Sequence, residues 1–273
     1  MKKTFTILLL FSISISNSQS IGSYLSNFYK YDKNSNFIEI IEETKFYHKN
    51  EIKKETEYKK FNEYMNLVSL KRFNEKKKLT WLNLYKYDSL QRRVKLENKY
   101  WVNIVGYQKK YNTYEYDSIG NCIEIQYNSN KQILNISEYK FNKENNLIQL
   151  ASYNGNGILI GYEKAEYFIK ENKVKISQFN NKGKFIVSNS HSIEYSKDYK
   201  HKPQYKYNQY GDLIFWERNL NKNDNVCYTI EYKYDKKGNW ISKKRFSYIK
   251  DKKGKLRKKK IKMIKTRKII YRI

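Results

Sequence analysis

One eight-residue pattern recurs along nearly the whole chain and leaves few folds open to it. It reads aromatic, Asp or Asn, two variable residues, Gly or another small or polar residue, a polar residue, any residue, then Ile, Leu or Val. The clean copies are Tyr116-Asp117-Ser118-Ile119-Gly120-Asn121-Cys122-Ile123, Tyr207-Asn208 through Ile214, and Tyr234-Asp235 through Ile241. Phe179-Asn180 through Ile186 and Tyr153-Asn154 through Ile160 also fit, and looser copies begin at Tyr31, Phe61, Phe73, Tyr87, Tyr127 and Phe141. Leu220-Asn221 and Lys250-Asp251 are degenerate members. A repeat on this scale is one supersecondary unit that buries its apolar face only by stacking on its neighbours.

The pattern describes a chain reversal. Asp or Asn in first position can accept hydrogen bonds from backbone N–H groups a little further on. A type I turn then favours Gly where φ turns positive and a bulge restarts the ladder. Asp117 with Gly120, Asn208 with Gly211 and Asp235 with Gly238 are the best-formed pairs. Asn145 tolerates the left-handed region, whereas Met65, Gln91 and Lys131 at the same position mark costlier units.

Successive turn residues lie 11 to 16 residues apart, apart from intervals of 30, 29, 26 and 28 residues starting at positions 32, 88, 154 and 180. Those four read as double steps in which one turn has decayed, giving about 13.7 residues per step. A step of that size is one strand plus one tight turn, so consecutive strands must be antiparallel neighbours. Between turns the residues alternate, with Ile230, Tyr232 and Tyr234 on one side and Glu231, Lys233 and Asp235 on the other. The run Phe37 to Glu42 does not alternate cleanly. The predicted fold class is therefore all-β, tandem antiparallel β-hairpin repeats forming a long twisted or curled meander sheet. Residues 187–204, with His191, His201 and the sole proline, Pro203, break the rhythm and read as an eroded repeat carrying a surface loop, with a recognition loop as the alternative.

The N-terminus has a different character. Lys2 and Lys3 precede an apolar stretch from Phe5 to Ile15, and Ser16-Asn17-Ser18 places small residues where a signal peptidase reads. Residues 1–18 are expected to be a signal peptide cleaved before Gln19, leaving 19–273 as a single repeat domain. The apolar stretch is short for a membrane anchor, which needs about 20 residues, and no later segment is apolar enough to be a transmembrane helix. Export places the protein in the periplasm, on the cell surface or outside the cell, where Cys122 and Cys227 could pair or remain as two packed thiols.

The net charge of +29 is unevenly spread: from Lys243 to Arg272 there are 16 Lys or Arg against Asp251 alone. Within these basic C-terminal strands (243–273), Lys255, Arg257, Lys258, Lys259, Lys260, Lys262, Lys265, Arg267 and Lys268 form a candidate patch for anionic polymers. Export makes anionic polysaccharide or other cell-envelope material the expected partner rather than nucleic acid; the alternative is a charged strand edge that prevents sheet aggregation. Trp216 and Trp240 are candidate stacking platforms for sugar rings if exposed, and core residues if buried.

No catalytic chemistry is legible. His48, His191 and His201 do not have metal-ligand spacing, no phosphate loop or nucleophile elbow is present, and the recurrent Asp residues are explained by turns. The expectation is a non-enzyme with no cofactor and no metal.

The segments Tyr114-Glu115-Tyr116-Asp117-Ser118-Ile119-Gly120-Asn121-Cys122-Ile123 and Tyr232-Lys233-Tyr234-Asp235-Lys236-Lys237-Gly238-Asn239-Trp240-Ile241 resemble the YD repeat of the RHS family. The chain looks most like the short exported bacterial members whose last repeat ends in Gly-Asn-Trp before a basic stretch. Large RHS proteins wrap such sheets into a shell around a toxin; this chain has no toxin domain and no autoproteolytic motif, so encapsulation is not implied. What the resemblance implies is recognition of carbohydrate or cell-surface partners. The reading is thus an exported binding or scaffold protein, with an outer-membrane β-barrel and a ligand-free spacer as the competing classes.

Overall fold

The computed structural model describes residues 20–26, 36–193, 204–219, 225–251 and 254–272. The export segment 1–18, the repeat members at Tyr31 and Leu220-Asn221, and His201 and Pro203 lie outside these residues. A short helix, α1 (Ile21–Ser26), precedes the strands. These are β1 (Phe37–Tyr47), β2 (Ile52–Phe61), β3 (Leu67–Asn74), β4 (Leu79–Tyr87), β5 (Arg93–Val102), β6 (Gly106–Tyr116), β7 (Cys122–Asn128), β8 (Ile133–Phe141) and β9 (Leu147–Asn154). The chain continues through β10 (Leu159–Phe168), β11 (Lys173–Asn180), β12 (Phe185–Ser192), β13 (Tyr205–Tyr207), β14 (Leu213–Asn219), β15 (Asn225–Tyr234), β16 (Trp240–Lys250) and β17 (Leu256–Tyr271).

Each strand from β1 to β12 pairs antiparallel with the next. The strands β13 to β17 do the same. The last strand then returns to the first: β17 pairs antiparallel with β1 from Phe37 opposite Tyr271 to Phe46 opposite Met263. The result is one 17-stranded meander sheet, not closed into a barrel, with β13 and β12 at its two ends and no ladder between them among the described residues. Because every ladder is antiparallel and the order holds an odd number of strands, the two strands at the sheet's ends, β13 and β12, run in the same direction, unlike any pair of neighbours within it.

The turns have the construction the repeat predicts. At Asn62, Asn74, Asp88, Asp117, Asn128, Asn142, Asn154, Asn180, Asn208, Asp235 and Asp251 the backbone N–H donates to the carbonyl four residues on. The carbonyl of the same residue accepts from the N–H three residues on. That third residue has φ between 57° and 91° in every case, whether it is Gly211 or Lys131. The side-chain oxygen of the Asp or Asn holds the bend: Asp117 Oδ1 accepts from the Ile119 and Asn121 N–H groups at 3.0 and 2.8 Å. Asn208 Oδ1 does the same for Tyr210 and Asp212, and Asp235 Oδ1 for Lys237 and Asn239.

Three of the long intervals contain the decayed turn expected of them, between β1 and β2, β5 and β6, and β10 and β11, the last with Asn172 left-handed. In the fourth, β12 extends to Ser192, so the irregular stretch starting at 187 is strand for its first part. The ambiguous run at Phe37 to Glu42 also has a local cause, a bulge between Phe37 and Glu39 that reverses the alternation.

Sheet register sorts the residues onto two faces. The inner face carries α1 and most of the buried side chains. Ile21 is fully buried there against Cys122, Tyr139, Leu147, Leu150, Ala165, Val174 and Ile176. A second cluster, Phe37, Ile40 and Phe61, lies near the β1–β17 junction. These clusters are small for a chain of this length. Much of the rest of the inner face is half-buried and mixes amides such as Asn98 and Gln126 with rings such as Tyr100 and Trp216, which differs from the apolar core that simple alternation suggests.

Candidate functional site

Rows of cross-strand neighbours define the inner face. One row runs Asn112, Gln126, Asn135 and Asn154 across β6 to β9. Another places Asn83 opposite Asn98, with Lys110 and Asn128 beyond them. The amides bond to one another along these rows: Asn98 Nδ2 donates to Asn83 Oδ1 at 2.5 Å, and Asn135 Nδ2 to Gln126 Oε1 at 3.0 Å. Each amide has two donor hydrogens and two acceptor lone pairs, so one lateral bond leaves capacity for a ligand. Asn83, Asn98, Gln126, Asn135 and Asn154 are all half-buried rather than sealed.

Aromatic rings flank the amides. Trp81 and Tyr100 pair across β4 and β5 with ring centroids 5.5 Å apart. Trp216 stacks on Tyr228 at 4.6 Å, with Tyr205 on its other side in register. Both rows lie on the face that carries the amides, and Trp81 is exposed there.

The most buried charge is Glu42 on β1, 1% exposed. Its carboxylate accepts from Lys59 Nζ at 2.7 Å, Lys265 Nζ at 3.1 Å and Arg267 Nε at 2.6 Å. Lys59 is shared with Glu57, which also holds Arg72 at 2.6 Å. Burial pushes the Glu42 carboxyl up, but Arg267, Lys59 and Lys265 together outweigh it and hold it well below the usual carboxylate range. A second buried carboxylate, Glu124 on β7, accepts from Asn112 Nδ2, from the Tyr114 hydroxyl at 3.0 Å and from the Tyr139 hydroxyl at 2.6 Å. A half-buried carboxylate, Glu163 on β10, anchors the helix by accepting from the Ile21 N–H at 2.7 Å.

The basic C-terminal segment does not form one patch. Strand alternation turns Lys265 and Arg267 inward onto Glu42 and leaves Lys268 exposed on the other face. Lys255, Arg257, Lys258, Lys259 and Lys260 are exposed near the β16–β17 turn, and Lys262 is half-buried. Arg257 is paired with Asp251 at 2.7 Å and Lys259 with Glu231 at 3.2 Å. Lys258 sits at a bulge with φ 58°. Trp240 is half-buried, its ring centroid 3.3 Å from the Arg267 guanidinium carbon and 4.9 Å from Lys243 Nζ. The two cysteines are free and buried. Among the described residues no group of three or more His, Cys, Asp and Glu could hold a metal ion.

The inner-face amides and Glu42 are not visible in composition or in the repeat motif. A weak signal does exist in the sequence, because residues equidistant from a turn become cross-strand partners. Asn112 and Gln126 stand this way about the turn at 117–121, and Gln126 and Asn135 about the turn at 128–132 once the one-residue bulge after it is counted.

No family model matches the chain, and no curated protein does either. Among solved structures, the chain is similar to a porin-like protein from Bacteroides uniformis, at 10% identity and TM-score 0.42, over 86% of this chain and 97% of that one. It is also similar to the TcdB2-TccC3 complex. There the identity is 11% and the TM-score 0.16, over 70% of this chain and 14% of that one.

Proposed function

We propose that this chain is an exported binding scaffold whose inner face takes an extended, hydroxyl-rich polymer, a cell-envelope polysaccharide. The observation that carries the reading is the set of half-buried amides Asn83, Asn98, Gln126, Asn135 and Asn154, set in cross-strand rows beside the Trp81–Tyr100 pair. Planar amides that donate and accept at once suit sugar hydroxyls, and indole and phenol rings suit the C–H faces of pyranose rings. A row that crosses several strands gives repeated equivalent subsites, which fits a polymer better than a small molecule. The YD-repeat resemblance points to the same class of partner.

The outer face favours this reading over a membrane-spanning barrel. One of its rows runs Ile41, Tyr58, Lys71, Leu82, Lys99 and Lys109. Another runs Glu115, Ile123, Glu138, Ala151 and Tyr162. A lysine facing lipid at the bilayer midplane costs about 2–4 kcal/mol, and these rows carry several without a continuous apolar band.

The test is binding of the mature protein to an array of neutral and acidic oligosaccharides, with tryptophan fluorescence as the second readout. Binding that weakens at least tenfold in Asn98→Ala and in Trp81→Ala, with folding intact by circular dichroism, supports the proposal. Absence of binding to every glycan, or binding indifferent to both substitutions, overturns it. Amino-terminal sequencing of the protein exported by a bacterial host, expected to begin at Gln19, tests the export part separately.

A further inference from the structure

The inner face holds more positive charge around the β1–β17 junction than its carboxylates can neutralise. Lys243 on β16 lies directly opposite Lys265 on β17, and Arg245 lies opposite Met263 one row on. Lys265 is in turn opposite Thr44, and Arg267 opposite Glu42. Cross-strand partners have Cβ atoms about 4.5–5.5 Å apart, and like charges placed directly opposite one another destabilise a sheet. The acids facing this junction are Glu42, whose oxygens are already taken by Lys59, Lys265 and Arg267, and Glu57 directly opposite it, whose oxygens are taken by Lys59 and Arg72.

Lys243 and Arg245 have no carboxylate partner among the described residues. Arg245 Nε is buried without a hydrogen-bond acceptor, an arrangement costlier for a charged group than for a neutral one. Lys243 finds partial compensation in the Trp240 ring, which Arg267 covers more closely. Burial first, and then the neighbouring charges of Lys265 and Arg267, push the Lys243 ammonium down to about 8, with Glu42 and Asp212 opposing them. Such an excess of cations is costly in an empty site and is relieved by a bound anion.

We infer that Lys243 and Arg245, backed by Lys265 and Arg267, form a binding subsite for a compact oxyanion on the inner face. The chemistry shared by its candidate ligands is a sulfate, phosphate or carboxylate group with several acceptor oxygens, which guanidinium and ammonium donors recognise by charge-assisted hydrogen bonds. Carriage of that group on a polysaccharide rests on the reading proposed above; the anion subsite itself does not.

The experiment titrates the full mature chain with inorganic sulfate, a sulfated oligosaccharide and the same oligosaccharide without sulfate, by calorimetry at low ionic strength. The expected result is sulfate binding that falls at least tenfold in Lys243→Gln and in Arg245→Gln, while Lys140→Gln, at an exposed lysine on β8, leaves it unchanged. Lys243→Gln also removes an uncompensated charge, so without anion its melting temperature should equal or exceed that of the parent, which guards against loss of binding by misfolding. Affinity should decline between pH 7.5 and 9.5 as Lys243 loses its proton. Sulfate affinity that is absent, or unaltered in both variants, overturns the subsite even if the neutral oligosaccharide binds. Sulfate binding lost in the variants, with no binding of either oligosaccharide, keeps the subsite and overturns the polysaccharide reading.

Discussion

Arg267 donates to Glu42 at 2.6 Å, joining the last strand of the sheet to the first across 225 residues of chain. The bond lies within the β1–β17 ladder, where these two residues are direct cross-strand partners. Lys59 on β2 and Lys265 on β17 complete the ring of donors around the same carboxylate. The junction that ties the two ends of the meander together is therefore an ionic one, with Phe37, Ile40 and Phe61 as its apolar neighbours.

Glu42→Gln should destabilise the fold strongly. Removing one partner of a buried ion network leaves the others uncompensated, at a cost of about 3–5 kcal/mol. The folded carboxyl is held below its unfolded value, so its contribution is fully present above the unfolded pKa and is lost as pH falls through the acid range. Urea titrations at pH 7 and pH 3 measure both effects: the parent should lose stability on acidification, and the variant should lose less. Equal pH dependence in the two proteins would contradict the role given to Glu42.

The left-handed turn position predicts opposite signs for two substitutions. Lys131 has φ 61° at the position where Gly238 has φ 81°. Holding an L-residue with a Cβ in this region costs about 1–2 kcal/mol, partly offset by the greater unfolded-state freedom of glycine. Lys131→Gly should therefore raise stability by about 0.5–1 kcal/mol, and Gly238→Ala should lower it by about 1 kcal/mol. Paired thermal melts decide the matter; a shift in the same direction for both would show that something other than φ controls the turn.

Helix α1 should control access to Cys122. Ile21 and Cys122 belong to one buried cluster, and Glu163 holds the Ile21 N–H. Burial pushes the Cys122 thiol up to about 11, so it is inert on two counts, access and ionisation. In a Cys227→Ser background, Ile21→Asp should release the helix and speed Cys122 labelling by a thiol reagent at least tenfold at pH 8. The loss of Ile21 burial should also cost about 2 kcal/mol of stability. Unchanged labelling with that stability loss would mean that the sheet alone shields the thiol.

The turns and the strand-and-turn step were legible in the sequence because both are local. Asp117 and Gly120 set a bend through hydrogen bonds that span only a few residues, and one motif read at regular spacing yields strands, their lengths and their antiparallel order. Even turns without the motif, such as the one between β5 and β6, could be inferred from a doubled interval. The facing of each strand was less secure, since a single bulge between Phe37 and Glu39 was enough to reverse it.

What only the tertiary structure decided is which distant residues share a place. No local rule pairs β17 with β1, turns Lys265 and Arg267 inward while Lys268 stays out, or lays α1 over Cys122. The basic segment reads as one patch along the chain, yet the period of two that defines a strand divides it between two faces. The amides Gln126 and Asn135 are ordinary polar residues until register brings them together. Repetition along the sequence determined the sheet; the return of its last strand to its first determined where charge is concentrated, because electrostatic energy depends on separation in space and not along the chain.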